Sequence, residues 1–377
     1  MAEPSPRRDA VQQGPDAPAG LGTRAPRRGY LDWMRGIAVL IMIEAHLLDS
    51  WTGGADRSTR AFGWSVIFGG LGAPLFLYLA GLSVALSAGS KSRRTDDARA
   101  ARAVVRRGLE IFGLAFLFRI QAWILGWSSP RMLLRVDILN IMGPSIAAAA
   151  ALWGVTRTTR ARYVAFTLAT LAMTLLTPLI RTAPWLASVP DPIEAYLRPV
   201  RPLTSFTFFP WAGFVFAGAI VGLMLDGART RRDESRANLL FGLAGAGLAA
   251  AAWGASYLPS PYERSDFWTS SPAYFFLRTG LLTAAVALAY VWQLRPGGQE
   301  KWSPLQQLGR ASLFIYWIHV EMIYGLISVR LHKALTLQEA WLAFAAFTGF
   351  MLICAILKER VVRWWCTRQQ RILATAR

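Results

Sequence analysis

Cysteine and histidine are scarce in this chain. Its 377 residues hold two cysteines, Cys354 and Cys366, and three histidines, His46, His319 and His332. Both cysteines fall near the C-terminal end, one inside the last apolar window and one just past it, so no disulfide framework and no thiolate metal site follows. Three scattered histidines build no histidine metal site either, and no metal is expected. Charge is thin as well, at 17% of residues, below the share of an ordinary soluble domain. No short-period repeat is present, and no cleavable signal peptide is expected. The first apolar stretch begins near Tyr30, runs too long, and has no A-x-A-like site after it.

What the chain does have is apolar bulk: 54% hydrophobic residues, 16 of the 377 being Trp. Hydrocarbon offers no water to backbone polar groups, so a spanning helix needs roughly 20 mostly apolar residues. Windows of that kind lie near 31–51, 62–88, 108–127, 134–155, 163–180, 206–226, 238–257, 273–293, 309–329 and 338–357. The expected fold class is therefore all-α: a polytopic integral membrane bundle of about ten transmembrane helices.

The net charge of +19 does not call for nucleic acid. Lys and Arg gather in alternate loops, notably SKSRRTDDARAARAVVRR, TRTTRAR, DGARTRRDESR and the tail KERVVRWWCTRQQR, the pattern that encodes orientation. That asymmetry places both termini in the cytoplasm. Residues 1–27 lack apolar periodicity and read as a disordered tail. Residues 28–358 form the transmembrane domain, and 359–377 a basic cytoplasmic tail. Two outer loops, RTAPWLASVPDPIEAYLRPVRPLTS and SPYERSDFWTSSP, are long enough to roof a site, although their aromatic residues also suit an interfacial belt.

Charged side chains inside a bilayer are costly and call for a functional account, and here they concentrate in the first window, YLDWMRGIAVLIMIEAHLLDSW. At about 100° and 1.5 Å per residue, Asp32, Arg35 and His46 share one helix face, with His46 roughly 16 Å above Arg35. Asp49, about 60° further round, is placed to accept the Nδ1 proton of His46 and to orient it as a general base. Glu44 points away and is expected to pair with Arg119, Arg135 or Arg278. His319 reads as a packing histidine near mid-bilayer, facing differently from Glu321, and His332 as solvated. The segments GAPLFLYLAGLSVALS and FFPWAGFVFAGAIVGLML carry small residues at helix-packing spacing.

These motifs, taken in order, resemble the catalytic domain of the heparan-α-glucosaminide N-acetyltransferases and their bacterial relatives, themselves akin to the membrane acyltransferase-3 group. Asp32, Arg35, Gly36, Met42 and His46 resemble the family's opening motif. Pro74, Phe76, Gly81 and Ser83 are similar to its next segment, followed by DILNIMGPSIAAAA and by Pro210, Trp211 and Gly213. Leu308, Gly309, Ser312, Leu313, Tyr316 and His319 resemble its closing signature. There is one departure. The lysosomal members carry Asn in place of His46 and a catalytic His in the following luminal segment, whereas no histidine lies between His46 and His319 here. In the acyltransferase-3 group an Arg followed eleven positions later by a catalytic His is characteristic, and Arg35 with His46 fits it.

The resemblance implies acetyl-CoA as donor from the cytoplasm and a sugar or glycan amine or hydroxyl as acceptor on the other side, in the inner membrane of a bacterium. It makes His46 the general base or transient acyl carrier, with Asp49 and Arg35 beside it. Asp32, Ser83, Trp211 and His319 are then the donor-binding residues, with Arg93, Arg94, Arg106 and Arg107 for its phosphates. Pairing into a homodimer is left open. The alternative class is a non-catalytic transporter or flippase of a lipid or glycan that uses the same intramembrane charges as a pathway.

Overall fold

The computed structural model describes residues 28–126, 129–295 and 302–375. Among them the chain is helical, with no strand beyond two isolated bridges. The principal helices are α1 (Gly29–Trp51), α2 (Arg60–Gly69), α3 (Gly72–Ser92), α4 (Asp97–Gly126), α5 (Ile138–Val155), α6 (Thr159–Leu175), α7 (Phe208–Gly227), α8 (Arg231–Ala255), α9 (Pro272–Gln293), α10 (Pro304–Arg310), α11 (Ser312–Tyr324) and α12 (Leu337–Thr375). Their starts are written locally. Asp137 and Thr230 close capping boxes with Asn140 and Asp233, which satisfy the open N–H groups of α5 and α8. Pro272 and Pro304 sit in the first turns of α9 and α10, where the missing N–H costs nothing.

Among the described residues, eight helices are long and apolar enough to cross a membrane. The two remaining windows of the expected ten differ for identifiable reasons. Helix α1 has the length, 23 residues, but it carries Asp32, Arg35, Glu44 and Asp49. The window 309–329 is broken at Ala311, between α10 and α11, and its helix stops at Tyr324. The window 62–88 is likewise two helices, interrupted at Gly70 and Leu71.

Small residues set the closest helix contacts. A Cβ on Gly81 would collide with the carbonyl of Val215, and one on Gly218 with that of Tyr78, so the two small-residue segments pack on one another as α3 and α7. Gly108 meets Gly143 where α4 crosses α5, and Gly245 meets Gly280 where α8 crosses α9. Helix α1 is wedged against α10 and α11: a Cβ on Gly36 would strike the Leu305 carbonyl, and one on Gly309 that of Asp32. Higher up, Ser50 Oγ and Trp51 Nε1 both donate to the Ile323 carbonyl, at 3.2 and 3.0 Å. The start of α1 is pinned by Arg28, which donates to Glu234 at 2.8 Å, and by the Tyr30 hydroxyl, which donates to the same carboxylate at 2.9 Å. Helix α3 is thereby fixed by backbone approach, and α1 by backbone approach together with side-chain hydrogen bonds at both of its ends.

Candidate active site

A cavity of about 880 Å³ runs between these helices. Gly72, Ala73, Phe76, Ala80, Ser83, Ser87 and Lys91 line it along one stripe of α3, at the three-to-four spacing that keeps residues on one helix face. Gly72 and Lys91 are 19 positions apart, so the stripe is about 28 Å long at the helical rise, close to the thickness of a bilayer core. Small side chains along α3 hollow out the groove, and Arg35, Met42, Ala45 and His46 of α1 form its facing wall.

The two ends differ in chemistry. At one end Lys91 and Arg107 line the cavity as exposed cations. Arg93 beside them is held by Asp226, with contacts of 2.9 Å to both carboxylate oxygens. Arg106 and Arg107 both pair with Glu110, at 3.3 and 3.2 Å, and the Arg106 side chain is 83% exposed; Arg94 is exposed as well. Of the four arginines assigned to the donor, Arg107 alone is in the cavity wall, and Lys91 joins it. At the other end stand Asp49, Arg135, Asp137, Ser205, Phe206, Trp211, Glu321 and Tyr324. The first long outer loop reaches this end: Val136 N–H donates to the Leu203 carbonyl at 2.7 Å and Ser205 N–H to the Val136 carbonyl at 2.9 Å. The second long outer loop lines a separate cavity through Tyr262, Ser265 and Phe267.

Asp32, Arg35 and Ser83 form one connected group, which joins two residues of the α1 face to α3. The Arg35 guanidinium donates to Asp32 at 2.7 Å and to Ser83 Oγ at 2.5 Å, which ties α1 to α3 at the cavity wall. Trp211 presents its ring to the cavity and packs edge-on against Phe206, with centroids 4.7 Å apart. Behind it lies the buried Arg278 guanidinium, 5.4 Å from the Trp211 centroid and 4.1 Å from that of Tyr274.

His46 lies in the cavity wall, and its Nδ1 is 2.9 Å from Nε2 of His319. His319 is fully buried behind it, its own Nδ1 2.8 Å from the Ile315 carbonyl. His319, read from its span as a packing histidine and given to the donor by the resemblance, is thus the immediate partner of His46 and stands outside the cavity lining.

Two pairings and one exposure read from the sequence are different in the structure. Asp49 makes no hydrogen bond to His46: it accepts from Arg57 at 2.9 Å and from the Tyr324 hydroxyl at 3.2 Å, because it is the exposed residue in the otherwise buried last turn of α1 and the 54–57 segment folds back onto it. Glu44 is buried with both carboxylate oxygens lacking a hydrogen-bond partner, since α2 brings Gly69 rather than an arginine against it. The arginines offered to it are engaged elsewhere: Arg119 forms an ion pair with Asp137, Arg135 donates to Ser205 Oγ at 3.0 Å, and Arg278 sits among aromatic rings. His332 is half-buried rather than solvated, its Nε2 3.2 Å from Ser328 Oγ and 3.1 Å from the Ile323 carbonyl.

Lys91, Arg135, Ser205, Glu321 and Tyr324, which also line the cavity, were not singled out as site residues by sequence. Lys91, Arg135 and Ser205 sit at the edge of an apolar window or in a loop, where a polar residue is ordinary, and Glu321 and Tyr324 lie in the second half of the window 309–329, where nothing local sets them apart. Among the described residues no cluster of three or more His, Cys, Asp or Glu is arranged to hold a metal.

The family model described as "Heparan-alpha-glucosaminide N-acetyltransferase, catalytic" matches residues 27–248, which include α1, α3, the outer loop that reaches the cavity, Trp211 and most of α8. No curated protein matches the chain. With well over half of the 377 residues covered and His46, Arg35, Ser83 and Trp211 inside the match, the chain belongs to the heparan-alpha-glucosaminide N-acetyltransferase catalytic family.

Proposed function

We propose that this chain is an integral membrane acetyltransferase that takes an acetyl group from acetyl-CoA at its cytoplasmic face and delivers it to an amine or hydroxyl of a sugar on the other side. One observation carries the reading: a single cavity follows α3 for about 28 Å, with Lys91 and Arg107 at one end, Arg135 and Trp211 toward the other, and His46 in the wall between. In this reading α1 and the broken pair α10 and α11 also cross the bilayer, which makes ten passes and puts both termini in the cytoplasm, in accord with the loop charges. The host membrane is then the bacterial inner membrane.

The donor set fits a coenzyme A substrate. Its phosphates require cations, and Lys91 and Arg107 supply them at the cytoplasmic mouth. Its pantetheine arm requires a narrow, mostly apolar slot, which Ala80, Val84 and Ile146 provide. Ser83 and Arg35 lie along that slot, between the mouth and His46. On the far side Trp211 offers an aromatic face and Arg135 and Ser205 offer donors, a combination suited to a sugar ring with polar substituents.

The chemistry is acyl transfer. The acceptor's nitrogen or oxygen attacks the thioester carbonyl carbon while His46 takes its proton. Collapse of the tetrahedral adduct breaks the carbon–sulfur bond, and the proton passes from His46 to the leaving thiolate. A route in which His46 itself carries the acetyl group uses the same geometry, with two transfers instead of one. The test is transfer from labelled acetyl-CoA to amino sugars by purified protein in lipid nanodiscs. His46→Ala should lower kcat by about 10² to 10⁴ while acetyl-CoA still raises the melting temperature. An unchanged rate removes His46 from the reaction. A cavity that traverses α3 also suits a transporter; a wild-type protein that acetyl-CoA does not stabilise at saturation favours that class.

A further inference from the structure

Asp49 is committed to Arg57 and Tyr324, so another group must hold the imidazole of His46. We infer that His319 is the positioning residue: by accepting a hydrogen bond from His46 Nδ1 it locks the proton there and leaves His46 Nε2 bare toward the cavity. The inference rests on the reading of His46 as the base, and it fixes which nitrogen of that base reacts.

The tautomers follow from one carbonyl. His319 Nδ1 lies 2.8 Å from the Ile315 oxygen, the residue one turn before it on α11. A carbonyl oxygen only accepts, so His319 Nδ1 carries a proton, and in a neutral imidazole its Nε2 is then an acceptor. The atom facing that acceptor at 2.9 Å is His46 Nδ1, which must donate. A neutral His46 that is protonated on Nδ1 has a lone pair on Nε2. That atom has no hydrogen-bond partner among the described residues, and His46, not His319, lines the cavity.

The ring geometry agrees. The two imidazoles are nearly parallel, at 9°, with centroids 5.1 Å apart. With the facing nitrogens at 2.9 Å, that is the separation of two rings meeting end to end in one plane, the in-line arrangement a hydrogen bond prefers. A doubly protonated His319 would reverse the donor, but it would be a fully buried cation whose polar neighbours are an imidazole and a carbonyl, with no carboxylate in contact. The pair also sits on rigid supports. Gly36 and Gly309 bring α1 against α10 below it, and Ser50 and Trp51 clamp Ile323 above it. Neither ring therefore needs a loop to hold it in place.

Nitrogen-15 histidine spectra of the full chain report the tautomer of each ring directly, and three histidines are few enough to assign by single substitution. In the wild type, His46 should show a protonated Nδ1 and an unprotonated Nε2. His319→Phe removes the acceptor: His46 should then populate both tautomers, and kcat should fall about a hundredfold with KM for acetyl-CoA unchanged. His319→Gln, whose Oε1 accepts at the same place, should restore most of kcat and the wild-type tautomer. A wild-type His46 carrying its proton on Nε2 overturns the inference, as does an active His319→Phe protein with unchanged kcat. If the wild type transfers no acetyl group, the functional reading fails while the wild-type spectrum still decides this one. If His319→Phe does not fold, the wild-type spectrum and His319→Gln decide it.

Discussion

The ion pair between Arg119 and Asp137 is the most buried charged contact in the cavity wall, its side chains 14% and 6% exposed. Asp137 does two jobs. It neutralises Arg119, and it caps α5 by accepting from Leu139 N–H at 3.0 Å, while Asn140 reaches back to the Asp137 N–H at 3.1 Å. Substitution can separate the two. Asp137→Asn keeps a capping side chain but removes the charge and leaves Arg119 a buried cation without its counter-ion, a loss of about 3–5 kcal/mol. Asp137→Ala removes the cap as well, for roughly 1 kcal/mol more. Arg119→Leu should recover most of the charge-dependent loss when combined with Asp137→Asn, because an apolar pair of similar size replaces a buried ion pair at little cost. Chemical unfolding of the detergent-solubilised protein, run as a double-mutant cycle, reads these values. If Asp137→Asn is within about 1 kcal/mol of wild type, the value of an exposed pair, the two groups are solvated and the wall is open to water there.

Other perturbations test the packing and the donor path. Gly81→Ala and Gly218→Ala place a methyl on the facing carbonyls of Val215 and Tyr78 and should prevent α3 from closing on α7, seen as lost folded yield. Gly113→Ala and Gly247→Ala have open space in front of them and should leave stability unchanged or raise it, by about 0.5–1 kcal/mol of helix propensity, read as the melting temperature. Lys91→Ala and Arg107→Ala should each raise KM for acetyl-CoA about tenfold with kcat preserved and the effect weaker in high salt, whereas Arg94→Ala should change neither. Ala80→Trp fills the slot between the Lys91 mouth and His46, and should abolish transfer in a protein that still folds.

The sequence revealed the kind of molecule because membrane spans are encoded in composition, and the helix-packing segments of α3 and α7 because close approach admits only small residues. That Arg35 and His46 look into the same cavity follows from helix periodicity, which is fixed by geometry within one helix, whereas Asp32 pairs with Arg35 and is outside the cavity lining. What was illegible came from other elements. That His319 meets His46 depends on α11 lying beside α1, a contact between residues 273 positions apart that no local pattern encodes. Asp49 was misassigned because the nearest neighbour along a helix competes with Arg57 and Tyr324, which only the folded chain brings close. Helix breaks at Gly70 and Ala311 were hidden inside apolar runs that read as continuous, since hydropathy reports solvent preference and not backbone direction.

Acetyl transfer through His46 turns on where the reacting atoms meet, and a structure of the protein with acetyl-CoA bound measures that directly. The thioester carbonyl should lie within reach of His46 Nε2, with the pantetheine along the α3 groove past Ser83 and the phosphates at Lys91 and Arg107. An acetyl-CoA bound outside this cavity, or one whose thioester stops at the mouth lined by Lys91 and Arg107, far from His46, would contradict that chemistry.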